Sequence, residues 1–150
     1  ADQLMPLHEN ISKLGSCRNP VVDAFLSSRI RDAEDRGISV KADIMIPAEL
    51  NISNTDLIVL FGNIMDNAVE ACGCADTKEI SLRSHAAKGY LIVTESNPAV
   101  KAPQKKQRRI PELERGVGFR VLSSLAKKYD GSFKHGVENG VYTVTVMLRA

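Results

Sequence analysis

From about Asn54 to Cys72 apolar residues recur at helical spacing, with Asn54, Thr55 or Asp56 as candidate caps and Gly73 as the stop. On a wheel of about 100° per residue, Leu57, Leu60, Phe61, Ile64, Met65, Ala68 and Cys72 share one broad apolar arc. A helix with that face needs another layer to cover it. A second arc, roughly 60° wide, gathers Asn63, Asn67 and Glu70, because positions i, i+4 and i+7 lie on one side of a helix. Asparagine is a poor helix former at exposed positions, since its amide competes for backbone hydrogen bonds. Oxygen-bearing side chains on one face suit a hard cation, and Mg²⁺ would keep several waters and share itself with phosphates. The plainer alternative, on spacing alone, is a solvated helix face.

The covering layer is legible on either side of this helix. Upstream, Asn19-Pro20 opens a helix whose apolar face is Val21, Val22, Phe25, Leu26 and Ile30, and Gly37 stops it. From Ile38 the period switches to two, through Val40, Ala42, Ile44 and Ile46, and Pro47 closes this half-buried strand. Downstream, strand-like runs at Glu79–Ser84 and Tyr90–Glu95 flank a Lys88-Gly89 turn. A later helix carries Val121, Leu122, Leu125, Ala126 and Tyr129 and ends at Asp130-Gly131. The chain finishes with Ser132–His135, an Asn139-Gly140 turn and a strand from Val141 to Leu148, a strong hairpin signal. Helices and mostly antiparallel strands segregate, which predicts an α+β, two-layer α/β sandwich rather than a doubly wound parallel sheet.

Two segments stand apart. Leu4, Leu7, Ile11 and Leu14 follow the a/d spacing of a coiled-coil seam, interrupted by Pro6, and fit either the tail of a dimerisation helix or an amphipathic helix packed on its own domain. Pro98 to Arg115 holds three prolines and the basic run Lys105, Lys106, Arg108, Arg109 with almost no apolar periodicity. A loop of this length in a compact domain is usually a lid, a binding loop or disordered.

Composition excludes several classes. The 150 residues are 43% hydrophobic and 25% charged, with a net charge of +2, so no bulk-charge argument leads to nucleic acid or membrane. The basic run lacks interleaved stacking aromatics, and nucleic acid is not expected as a partner. The longest apolar run, Leu57 to Phe61, is far short of a membrane span. The chain opens on Ala1 without a signal peptide and is expected to be a fragment of something longer. Its three cysteines fit no disulfide framework, and Cys72 and Cys74 lack the second pair that a zinc site needs.

Arg115-Gly116-Val117-Gly118-Phe119 sits where the long loop meets the next helix. Glycines there permit close backbone approach, and the helix N-terminus offers N–H groups and a positive dipole end to an anion. A lone G-x-G is weak. It is neither a Walker motif nor a Rossmann fingerprint.

Together these elements are more specific. An oxygen-rich helix, a central strand, a long basic loop and a glycine pair opening a helix resemble the GHKL (Bergerat-fold) ATPase family. Within it the chain resembles the ATP-binding catalytic domain of sensor histidine kinases. Residues Leu60-Phe61-Gly62-Asn63-Ile64-Met65-Asp66-Asn67-Ala68-Val69-Glu70-Ala71 are similar to that family's N box, and Arg115 to Phe119 to its second glycine box. Asn19-Pro20-Val21-Val22-Asp23-Ala24-Phe25-Leu26 is similar to the Agr-type class of quorum-sensing peptide receptors. The resemblance covers about residues 17–150, with 1–16 read as the tail of a dimerisation or linker helix.

The resemblance implies ATP and Mg²⁺ as ligands, with Asn67 coordinating the metal that bridges the phosphates. Asn63 would line the same phosphate site and Glu70 would sit near the nucleotide one turn on. Gly116 and Gly118 would let backbone meet phosphate, while Lys105, Lys106, Arg108 and Arg109 would lie in a mobile lid over the nucleotide and neutralise its charge. The departure is at the first glycine box, where many relatives carry an Asp followed by glycines. This chain has Thr94-Glu95-Ser96-Asn97-Pro98-Ala99. Strand alternation puts Asn97 at the Asp position, where its amide oxygen can accept from the adenine amino group without a charge.

The implied function is transfer of the ATP γ-phosphoryl to a histidine on an upstream dimerisation hairpin, and thence to a response-regulator aspartate. His8, beside Glu9, lies only 55 positions before Asn63, so the acceptor is expected to be missing from this chain. His85 and His135 read as structural. The parent would be a homodimer and this domain cytoplasmic, with any membrane segments before residue 1. The alternatives are a GHKL protein-serine kinase or anti-sigma regulator, and a degenerate non-catalytic GHKL module.

Overall fold

The computed structural model describes residues 17–73, 75–99 and 118–150. In chain order these form α1 (Pro20–Asp35), β1 (Ser39–Ile44), α2 (Asn54–Gly73), β2 (Glu79–Ala87), β3 (Tyr90–Pro98), α3 (described over 118–128), β4 (Ser132–Glu138) and β5 (Val141–Arg149). The five strands make one sheet in the order β1-β2-β3-β5-β4. β1 runs parallel to β2, and the other pairs are antiparallel. The expected two-layer α+β sandwich with a mixed, mostly antiparallel sheet is the architecture found.

Alternation along the strands decides which face is covered. Ile80 and Leu82 of β2, Leu91 and Val93 of β3, and Val144, Val146 and Leu148 of β5 point inward and join one hydrophobic cluster with α1, α2 and α3. From the helices this cluster takes Val22, Leu26, Leu57, Leu60, Phe61, Ile64, Met65, Ala68, Leu122 and Leu125. The opposite phase of the sheet is polar, as at Ser96 and Thr143, whose hydroxyls meet at 3.4 Å across β3 and β5.

The helix ends show why the elements begin and stop where they do. Asn19 caps α1, its Oδ1 accepting from Val21 N at 3.0 Å and Val22 N at 3.1 Å, with Pro20 at the first helical position. α2 differs from expectation at its start. Ser53, not Asn54, Thr55 or Asp56, caps it, its hydroxyl accepting from Asp56 N at 3.1 Å. Asn54 instead accepts from Asn19 Nδ2 at 2.8 Å, joining the starts of the two helices. α3 ends on Asp130 in the left-handed region, and Gly131 N donates back to Ala126 O at 2.7 Å. A Cβ on Gly131 would stand 1.7 Å from Met147 O, so only glycine lets the chain pass so close beneath β5.

β2, β3 and β4 run further than the sequence pattern marked them, while β1, expected from Ile38 to Ile46, is confined to Ser39–Ile44, Ile46 making only an isolated bridge with Cys17. β2 continues past Ser84 to Ala87, β3 past Glu95 to Pro98, and β4 past His135 to Glu138. Both hairpins turn on the expected pairs, Lys88-Gly89 and Asn139-Gly140, with positive φ at all four residues. The coiled-coil-like segment with Leu4, Leu7, Ile11, Leu14 and His8, and the long basic loop, lie outside the described residues.

Candidate functional site

α2 and α3 lie alongside each other in opposite directions, and this arrangement builds the site. At one end the head of α3 meets the polar arc of α2. A Cβ built on Gly118 would lie 3.3 Å from both Asn67 Nδ2 and Asn67 Oδ1, and 3.4 Å from Asn63 Oδ1. The residue pair predicted from a helix wheel and the glycine predicted from a loop motif are therefore in direct apposition. At the other end Lys128 Nζ lies 2.8 Å from Asp56 Oδ2, and Tyr129 Oη donates to the same oxygen. Tyr129 Oη also accepts from Ser53 N at 3.4 Å. These contacts clamp the foot of α3 to the start of α2 and hold Gly118 in register with the asparagines.

The two asparagines offer different atoms. Asn63 Nδ2 donates to Val59 O one turn back at 2.8 Å, so that amide is oriented and presents its oxygen. Asn67 Nδ2 is buried without a hydrogen-bond partner among the described residues. An orphaned buried donor in a native site marks a position that a ligand completes. An oxygen-directed Asn63 beside an Asn67 with an open donor suits a cation and an anion side by side, as in a metal-phosphate pair. Among the described residues no group of three His, Cys, Asp or Glu side chains gathers to hold a metal ion. The oxygens of Asn63 and Asn67 are donors of the hard kind that Mg²⁺ takes alongside water and phosphate.

Glu70, one turn past Asn67, borders a cleft of about 410 Å³ between α1 and α2 that also touches Arg29, Arg36 and Met65. Asp66 at its edge pairs with Arg29 at 3.0 Å. Asn97 closes the inward face of β3, 3% exposed, with Nδ2 donating to Glu95 Oε2 at 2.7 Å and Oδ1 buried without a partner among the described residues. Glu95 is 1% exposed. Burial pushes its carboxyl up to about 7, against the Asn97 hydrogen bond that favours the charged form. Lys105, Lys106, Arg108, Arg109 and Gly116 lie outside the described residues.

Three features escaped sequence reasoning. Glu95 occupies the inward phase of β3 between Val93 and Asn97, so the alternation that singled out Asn97 also reaches it. The clamp of Asp56 with Lys128 and Tyr129 spans more than seventy residues and has no local signal. The head of α3 is seated by an aromatic cluster, with Phe119 centred 4.4 Å from His135 and 5.3 Å from Phe133. His135 Nδ1 lies 3.2 Å from Tyr142 Oη, consistent with a structural part for that histidine.

A sequence model of the GHKL domain matches residues 52–149, from just before α2 to the end of β5. The chain belongs to the GHKL domain family. Among its curated relatives, the sensor histidine kinase DcuS of Escherichia coli K12 is 31% identical over 145 residues, an alignment that takes in 88% of this chain and 26% of the relative. The chain thus spans about a quarter of the length of the curated relatives it matches. Its fold is that of the catalytic domain of histidine kinase ThkA, with a TM-score of 0.65 at 13% identity, covering 87% of this chain and 90% of that one. Full-length ShkA in complex with AMPPNP matches with a TM-score of 0.61 at 17% identity, over 87% of this chain and 30% of that one.

Proposed function

We propose that this GHKL domain binds ATP with Mg²⁺ and serves as the catalytic domain of a sensor histidine kinase. The observation that carries the reading is the apposition of Gly118 with Asn63 and Asn67, which joins the N box to the second glycine box at one point. ShkA, which shares the fold, was crystallised with AMPPNP, an ATP analogue, and that supports a nucleotide as the ligand of this domain.

In this reading Asn67 would hold Mg²⁺ through its amide oxygen and offer its buried, unpartnered amide N–H to a phosphate oxygen. Asn63, held by Val59 O, adds a second oxygen toward the metal or its waters. Gly118, lacking a side chain, lets the α3 backbone come up to the phosphates, and Gly116 does the same from the loop. Glu70 stands at the rim, and Asn97 Oδ1 accepts from the adenine amino group. Lys105, Lys106, Arg108 and Arg109 would supply the positive charge that neutralises the phosphates. Mg²⁺ supplies charge compensation on the phosphates when bound.

Phosphoryl transfer depends chiefly on positioning and charge neutralisation, so a domain of this kind contributes nucleotide, metal site and lid. The acceptor histidine belongs to a dimerisation hairpin of the parent protein. The phosphoryl group then passes to a response-regulator aspartate. The parent is a homodimer with this domain on the cytoplasmic side. No helix among the described residues is long and apolar enough to cross a membrane.

Calorimetric titration of AMPPNP into the chain, with Mg²⁺ and then with a chelator, tests the reading. Binding that requires the metal supports it, provided Asn67→Ala removes that binding while circular dichroism shows the fold intact. Absence of binding at millimolar nucleotide overturns it and leaves a GHKL fold without nucleotide function.

A further inference from the structure

Behind Asn97 stands a buried group to which the proposed site gives no task. Glu95 lies two residues earlier on the same inward face of β3, and its Oε2 accepts from Asn97 Nδ2 at 2.7 Å. Its strand neighbours are Leu82 of β2 and Val144 of β5, both buried and apolar. Cys72 of α2 comes close enough for its thiolate and the carboxylate to repel. Above about pH 7 the Glu95 carboxyl is ionised and can only accept hydrogen bonds, so there it dictates which end of the Asn97 amide faces it. The nitrogen is drawn to Glu95 and the oxygen is left over, buried and without a partner among the described residues.

We infer that Glu95 is a positioning residue for base selectivity. It locks the Asn97 amide with its oxygen toward the nucleotide, so the site takes a base with an exocyclic amine and rejects one with a carbonyl at the same place. The inference rests on the nucleotide reading above and adds the origin of adenine preference. A free carboxamide can rotate by half a turn and serve a carbonyl base as readily as an amine. With Glu95 behind it that rotation would set carboxylate oxygen against amide oxygen and lose the hydrogen bond. A buried polar group left facing the wrong partner is what gives hydrogen-bonding sites their discrimination. An Asp at this position would have no donor end and would need no such lock.

The test compares AMPPNP with its inosine counterpart, in which a carbonyl replaces the amine, by Mg²⁺-dependent calorimetric titration of the 150-residue chain at a pH well above 7, where Glu95 is ionised. The wild type is expected to prefer the adenosine form by about tenfold or more. Glu95→Gln keeps shape and burial but pairs amide with amide, which can sit either way round, so the preference falls to about threefold or less. In the double variant E95Q/N97D the new amide can only donate to the new carboxylate, and the preference returns to within about twofold of wild type.

A wild type that binds AMPPNP while Glu95→Gln keeps its preference refutes this inference and leaves the nucleotide reading standing. A double variant no more selective than Glu95→Gln also refutes it. A wild type that binds neither nucleotide removes both. Should Glu95→Gln fail to fold, the wild-type side-chain amide protons of Asn97 decide by NMR. They are expected to stay hydrogen-bonded to Glu95 with and without AMPPNP, and their transfer to the nucleotide on binding overturns the inference.

Discussion

Gly118 rests directly on the carboxamide of Asn67: a methyl group on its Cα would stand 3.3 Å from both Oδ1 and Nδ2. The contact is tighter than ordinary van der Waals packing and involves the two atoms proposed to meet metal and phosphate. Gly118→Ala should therefore turn the Asn67 amide or lift the head of α3 without harming the core, since α3 is anchored independently at Phe119 and Tyr129. The expected result is about a tenfold loss of Mg·AMPPNP affinity, equivalent to ~1.4 kcal/mol, with an unchanged thermal midpoint. Equal affinity in the variant, measured by calorimetry, contradicts the proposed phosphate approach.

Glu95 gives stability a pH dependence of opposite sign to that of an ordinary paired carboxylate. Burial raises its carboxyl from 4.5 to about 7 in the folded chain. Between those values the native state keeps a proton that the unfolded chain has released, so stability falls as pH rises and levels off above about 7. The full span corresponds to on the order of 3 kcal/mol. Glu95→Gln carries no titrating proton and should lose this slope, so it gains on the wild type between pH 5 and 8. Urea unfolding of both proteins across that range checks it, and a constant difference between them refutes it.

Asp56 behaves conversely. Hydrogen bonds from Lys128 and Tyr129 hold its carboxyl below the usual aspartate range. Its contribution is then present above the unfolded value of 3.8 and lost as pH falls through the lower folded one. Lys128 is largely exposed, which limits the value of the pair. Asp56→Asn should cost about 1 kcal/mol at neutral pH, and the cost should vanish in acid. Because the clamp sets where Gly118 lies along α2, AMPPNP affinity should also fall. A cost that persists in acid assigns the effect to packing instead.

The sequence marks the fold well where a single period runs uninterrupted. The apolar arc of α2, the alternation along β3 and β5, and the two turns with Gly at the second position are local signals with local causes. Strand ends were read short because β2 and β3 end in mixed residues, Ser84 to Ala87 and Ser96 to Pro98, where pairing with the neighbouring strand outweighs composition. The cap of α2 lies one to three residues before the expected positions because Ser53, Asn54, Thr55 and Asp56 are all competent oxygen bearers. Tertiary contacts separate them, with Asn54 tied to Asn19 and Asp56 to Lys128, while the Ser53 hydroxyl accepts from Asp56 N.

The site was legible in two halves. Asn63 and Asn67 follow from helix geometry, and Gly118 from a loop motif, but their meeting depends on α3 lying antiparallel to α2. That placement is set by Asp56, Lys128 and Tyr129, which are distant in sequence. Glu95 stayed hidden for a different reason. A glutamate on a strand normally reads as solvent-facing, and only the inward phase of Leu91, Val93 and Asn97 shows that it is buried.

The central claim is that a divalent ion and nucleotide phosphates sit between Asn67, Asn63 and Gly118. Replacing Mg²⁺ by paramagnetic Mn²⁺ in the presence of AMPPNP and recording NMR spectra tests it most directly. The side-chain amides of Asn67 and Asn63 and the backbone amide of Gly118 should broaden first and most strongly, while Mn²⁺ without nucleotide should leave them sharp. Broadening centred elsewhere on the domain, or none at these residues with nucleotide present, would contradict the account.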